Sequence, residues 1–185
     1  MIPFILASAS PRRKALLESA GIVPLHIVPA DTDETPHPRE LPHDYAQRVA
    51  HEKATAVSAL HPNIAILAAD TVVACGRRIL PKAEDETTAR KCLTLLSGRR
   101  HRVLTALCLL HADGHLTQRC VETVVKFRRL NADDIDWYIA THEWQGKAGG
   151  YAIQGAAQAF IPSINGSYSC VVGLPLQQTI ALLTR

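Results

Sequence analysis

The chain has 185 residues, a formal net charge of +3, and 47% hydrophobic against 20% charged residues. At roughly 100–200 residues per domain this is one domain's worth of chain, able to bury a sizeable core, and the composition excludes a disordered or low-complexity protein. The mild positive balance gives no argument for nucleic-acid binding by charge alone.

Pro3 to Ala7 is a short apolar run that reads as a first strand. Ser10-Pro11 then announces a helix, with Ser at the N-cap and Pro in the first helical position, and Gly21 stops it. Leu25 to Val28 reads as a second strand, and the four prolines and clustered acids between Pro29 and His43 as a surface loop. Helical spacing returns in Ala46, Val49, Ala50, Ala54, Val57 and Leu60. Ile64 to Ala69 and Val72 to Cys75 make an apolar strand interrupted by Asp70-Thr71, and Glu84 to Leu96 is helical. Val103 to His111 and Leu116 to Phe127 read as strands around the turn His111-Ala112-Asp113-Gly114. Ala132 to Thr141 is a short helix, and a last helix is expected near Leu176 to Leu183. Alternation of strands and helices early, with antiparallel pairing later, predicts a mixed α/β fold in a single domain over residues 1–185.

Charge is unevenly spread. Residues 31–62 hold six acids against three bases, and residues 63–100 hold seven bases against four acids. From Tyr151 to Thr184 there is no Asp, Glu, Lys or Arg, so any acid, base or fixed cation must come from the first 150 residues. Polar residues, Gly and Pro interrupt that tail too often for a membrane span, and the N-terminus lacks a signal-peptide pattern. The five cysteines form no CxxC pair, so reduced thiols in the cytoplasm are expected.

Four groups carry possible chemistry. In Ser8-Ala9-Ser10-Pro11-Arg12-Arg13 two arginines stand in the first turn of a helix, where the dipole disfavours cations by ~0.3–1 kcal/mol each. A bound phosphate would reverse that sign; pairing with carboxylates of the 31–34 loop is the alternative. Asp70, with Thr71, is either a carboxylate facing a cation, metal or cleft, or one that satisfies backbone N–H groups at a strand end. Asp31, Asp33 and Glu34, with Glu52, Lys53 and Lys82, suit either Mg²⁺ and phosphate or a solvated surface. Lys147 to Gly155 places three glycines around Gln154, whose planar amide can pair with the carbonyl and N–H edge of uracil or thymine.

Together ASASPRR (7–13), DTDE (31–34), EKA (52–54), AADTVV (68–73), LSG (96–98) with His101, KAGGYAIQG (147–155) and INGSYSCVVGLPL (164–176) make the whole chain resemble the Maf family of nucleoside triphosphate pyrophosphatases. The resemblance implies a two-lobed α/β mixed-sheet fold related to inosine triphosphate pyrophosphatases, with the active site in a central cleft. It implies hydrolysis of a nucleoside triphosphate to monophosphate and pyrophosphate with Mg²⁺ or Mn²⁺. Asp70 matches the family's proton acceptor, and Arg12, Thr71 and Gln154 match positions tied to substrate choice. Ser8, Arg13, Lys53 and Lys82 match phosphate-handling positions, and Asp33 joins Asp70 near the metal. KAGGYAIQG looks like the branch acting on dTTP and UTP; 7-methyl-GTP or another modified nucleotide is the alternative substrate. A non-enzymatic nucleotide or nucleic-acid binder regulating cell division is the alternative class. Homodimerisation is expected, and stable nucleic-acid or membrane association is not. The chain departs from the family in Pro81-Lys82-Ala83, where Gly-Lys-Pro is common, and in Ser169-Cys170, where the expected effect is on packing.

Overall fold

A computed structural model describes residues 1–184. Its elements in chain order are β1 (Phe4–Ala7), α1 (Pro11–Ser19), β2 (His26–Ile27), α2 (Pro42–Leu60), β3 (Ala65–Cys75), β4 (Arg78–Leu80), β5 (Lys82–Ala83) and α3 (Glu86–Leu96). There follow β6 (Arg100–Leu110), β7 (Leu116–Lys126), α4 (Ala132–Ala140), β8 (Lys147–Ala148), a 3₁₀ turn (Ala156–Phe160), β9 (Ser163–Asn165), α5 (Tyr168–Val172) and α6 (Leu176–Leu183). The long elements lie where periodicity predicts them. The two-residue strands and α5 carry too few residues to show a period.

The main sheet runs β2-β1-β3-β6-β7-β9, with β4 also on β3, while β5 and β8 form a separate small sheet. β1 pairs in parallel with β2 and β3, and β3, β6, β7 and β9 pair antiparallel in succession. The parallel part is where α1 and α2 supply the crossovers that parallel strands require. Among the described residues no helix is long and apolar enough to cross a membrane.

α2 buries Ala46, Val49, Ala50, Ala54 and Val57 against the sheet face formed by Ile5, Ala7, Ile66, Ala68, Val72 and Ala74. The opposite face packs Leu6, Leu67 and Ala69 on Leu17 of α1 and on Leu174, Leu182 and Leu183 of the uncharged tail. A further core gathers Val73, Val103, Leu93, Phe127, Tyr138, Tyr151 and Phe160 around α3 and α4. Cys170 is buried and its Sγ donates to the Val121 carbonyl at 3.2 Å, a packing role as expected.

Asp70 and Thr71 do not break their strand. They pair with Ala106 and Thr105 of β6 inside a continuous β3. The interruption lies on the other edge of β3. There β1 pairs only as far as Ala68 and β4 begins only at Val73, which leaves Ala69 to Val72 with a neighbouring strand on one side alone. The strand end near Asp70 therefore belongs to β1, and the gap it leaves is the cleft.

Candidate active site

Successive strand residues face opposite sides of a sheet, so Asp70 and Thr71 recruit partners from different layers. Asp70 points to the α2 side, where Lys53 lies within the buried stripe. Lys53 Nζ donates to Asp70 Oδ1 at 2.8 Å and pairs with Glu34 Oε1 at 2.7 Å. Lys82 pairs with the other oxygen of Glu34. The result is an alternating chain, Asp70–Lys53–Glu34–Lys82, that begins on a carboxylate only 4% exposed. Burial alone would raise the Glu34 carboxyl, but the two lysines outweigh it and hold the group below its ordinary value.

Glu34 reaches this chain because its loop is strapped to α2. The Tyr45 hydroxyl donates to the Glu34 carbonyl at 2.8 Å, and Arg48 donates to the Thr35 carbonyl at 3.2 Å and to Glu40 Oε1 at 2.7 Å. Asp33, expected near a metal, is instead exposed and accepts from the Thr35 N–H at 2.9 Å. Glu34 is the acid of that loop that lines the cleft. Glu52 is turned aside as well, paired with Arg48.

On the other face Arg13 is buried. It donates to the Gly173 carbonyl at 2.8 Å, to Ser8 Oγ at 2.9 Å and to Thr71 Oγ1 at 3.3 Å. Thr71 shares a 2.9 Å hydrogen bond with Thr105, which donates to the Cys170 carbonyl at 2.8 Å. These Arg13 partners are neutral oxygens, so the guanidinium's charge is not cancelled there. Burial lowers the Arg13 pKa, while Asp70 acts in the opposite direction. Pairing of the arginines with the 31–34 loop is not what forms: Glu34 goes to the lysines, and Arg12 makes no side-chain hydrogen bond among the described residues.

The third wall is the strap from Lys147 to Gly155. β8 pairs with β5 so that Lys82 lies opposite Ala148, and the Gly149 N–H donates to the Pro81 carbonyl at 2.9 Å. Gly149 has φ +67°, and a Cβ there would lie 2.8 Å from Val73 Cγ1. Gly149→Ala is therefore expected to lower stability by ~2–3 kcal/mol, from left-handed backbone strain plus overpacking of Val73. Urea unfolding measures this, and an unchanged midpoint would refute the tight seat. Further along, the Ala152 N–H donates to the Tyr138 hydroxyl at 3.0 Å, and Tyr151 Oη lies 2.8 Å from His101 Nε2. Burial pushes His101 down to about 4, so it is neutral at physiological pH. Gln154 is exposed, lines the cleft, and its side-chain amide makes no hydrogen bond among the described residues.

These walls enclose a cavity of about 430 Å³, lined by Arg12, Arg13, Lys53, Lys82 and Lys147 against two carboxylates, Glu34 and Asp70. The size suits one small molecule, and the excess of cations suits an anion. Among the described residues no three His, Cys, Asp or Glu side chains converge on a metal-sized site. Asp70 and Glu34 remain as cleft donors, and Asp70 Oδ2 makes no hydrogen bond among the described residues. Two carboxylates are a set that fits a hard divalent cation completing its shell with water and phosphate, and not a thiolate- or imidazole-bound metal.

Ser8, Arg12, Arg13, Lys53, Asp70, Thr71, Lys82 and Gln154 thus all line one cavity, and Asp33 does not. That Glu34 and not Asp33 faces the cavity, and that Lys147 and Tyr151 line it, escaped the sequence reading. A Pro-rich loop has no period to tell which acid faces inward, although Lys147 stands in the same motif as Gln154.

A sequence model of the Maf-like proteins matches residues 3–185. A dTTP/UTP pyrophosphatase of Rhodospirillum rubrum is 59% identical over 98% of this chain and 86% of its own length. One of Paramagnetospirillum magneticum is 56% identical over 99% of this chain and 96% of its own. The HAM1 protein from Coxiella burnetii shares the fold, with a TM-score of 0.53 at 15% identity, covering 100% of this chain and 99% of that one. The family motifs, their convergence on one cavity and the full-length match agree: the chain belongs to the Maf family.

Proposed function

We propose that this protein hydrolyses dTTP and UTP to the monophosphate and pyrophosphate with the help of a divalent metal. The observation that carries the reading is the buried Asp70–Lys53 pair at the sheet gap, opening onto a cavity with a surplus of cations. The relatives' activity on dTTP and UTP supports the choice of nucleotide.

In this reading Asp70 accepts a proton from the attacking water as its oxygen bonds to the α-phosphorus. The P–O bond to the β-phosphate breaks in line, and pyrophosphate leaves. Lys53 orients Asp70 and, with Arg12, Arg13 and Lys82, places positive charge where the leaving group gains negative charge. Asp70 and Glu34 would hold Mg²⁺ or Mn²⁺, which would supply Lewis-acid polarisation of the phosphoryl oxygens. Ser8 and Thr71 hold Arg13 in place.

A pyrophosphate-release screen over natural and modified triphosphates, with Mg²⁺ or Mn²⁺, tests the reading. Release confined to dTTP and UTP supports it, and a preference for 7-methyl-GTP or no release at all overturns it. Within that screen Gln154→Ala is expected to narrow the dTTP-to-dGTP preference about tenfold, the worth of one or two neutral hydrogen bonds. An unchanged ratio removes Gln154 from base recognition.

A further inference from the structure

Charge compensation in the cleft is uneven. Lys53 and Lys82 are neutralised by Asp70 and Glu34, and Arg13 spends its fork on neutral oxygens. Arg12 and Lys147 are left over. Arg12 makes no side-chain hydrogen bond among the described residues, and Lys147 makes one, from Nζ to the Gln145 carbonyl at 2.8 Å. Both are half-buried and both line the cavity. Burial lowers each from its ordinary value, and the charge of Arg12 adds to the effect on Lys147, outweighing the opposite pull of Glu143 and Glu84. Two partly desolvated like charges facing one cavity repel unless an anion lies with them.

They also come from the two ends of the gap. Arg12 follows β1, which pairs with the first half of β3. Lys147 stands on β8, tied through β5 to the chain that leaves β4 at the far half. The Lys147 backbone is fixed on both sides, since the Gly146 N–H donates to the Ala83 carbonyl and the Gly150 N–H to the Lys147 carbonyl, each at 2.9 Å. The side chain is therefore presented from a rigid turn.

We propose that Lys147 is a substrate-binding residue which, together with Arg12, seats the two distal phosphates of the triphosphate. This rests on the pyrophosphatase reading for the identity of the substrate. The α-phosphate must lie by Asp70 at the buried floor, so the pyrophosphate moiety is the part left for the uncompensated pair. An anion held by both residues also ties the two ends of the gap together.

Calorimetric titration with pyrophosphate and, separately, with UMP tests the assignment on wild type, Lys147→Met and Lys147→Arg, at one fixed Mg²⁺ concentration. Lys147→Met is expected to weaken pyrophosphate binding about tenfold, equivalent to one charge-assisted contact, and to leave UMP binding within about twofold. Lys147→Arg should recover most of the loss, which a merely structural contact to the Gln145 carbonyl would not produce in pyrophosphate binding alone. Unchanged pyrophosphate affinity in Lys147→Met, or an equal loss for UMP, overturns the proposal. Because no turnover is needed, a wild type that binds pyrophosphate but releases none from any triphosphate sinks the enzymatic reading and leaves the anion seat standing.

Discussion

Asp70→Asn is expected to lower kcat by about 10³-fold, the typical worth of a positioned general base, with affinity for metal-free nucleotide unchanged or slightly improved. The shape of the site should survive. Residue 70 is held by the β3–β6 ladder opposite Ala106, and Asn is nearly isosteric with Asp. Lys53 keeps Glu34 as its partner at 2.7 Å, so no isolated buried cation is created. Removing one negative charge from a cavity that accepts a polyanion reduces repulsion, which is why binding should not suffer. Single-turnover kinetics beside titration with a non-hydrolysable analogue separates the two quantities. Turnover at the wild-type rate would falsify the role of Asp70 as proton acceptor.

The opposite deletion acts mainly on stability. Lys53→Met leaves Asp70, whose side chain is only 5% exposed, without its cation, and breaking a buried pair from one side costs about 3–5 kcal/mol. At roughly 2–4 °C per kcal/mol for a chain of this size, Tm should fall by about 10 °C. Glu34 can turn toward water from its surface loop, whereas Asp70 is fixed in the middle of a strand. Adding Asp70→Asn to Lys53→Met should therefore restore part of the loss, because the stranded charge is then gone. A double variant less stable than Lys53→Met alone would show that the pair is not what holds this region.

Local order was largely readable from the chain. The stripe along α2, Pro11 at the start of α1, and the Asp-Gly turn between β6 and β7 each follow from neighbours a few residues away. The partners of the site residues are not local. Arg13 meets the Gly173 carbonyl across 160 positions of sequence, and Lys82 meets Glu34 across 48. Asp33 and Glu34 are adjacent acids in one loop. What separates them is the anchoring of that loop by Tyr45 and Arg48, which turns one side chain inward and the other out.

The sequence by itself settled that residues 151–184 carry no formal charge, so that the carboxylates and cations of the cleft come from the first 150. The resemblance carried by its motifs pointed to the family and to the residues to watch. Only the tertiary structure decided what the neutral tail does: Leu174, Leu182 and Leu183 close the core beneath β1 and β3, the Gly173 carbonyl orients Arg13, and Gln154 edges the cavity. It also decided that Asp70 sits beside a missing strand neighbour and not at the end of its own strand. The physical reason is the same in both cases. Hydrophobic period and turn chemistry act over a few residues, but which edge stays unpaired and which carbonyl faces a buried guanidinium depend on segments brought together by packing.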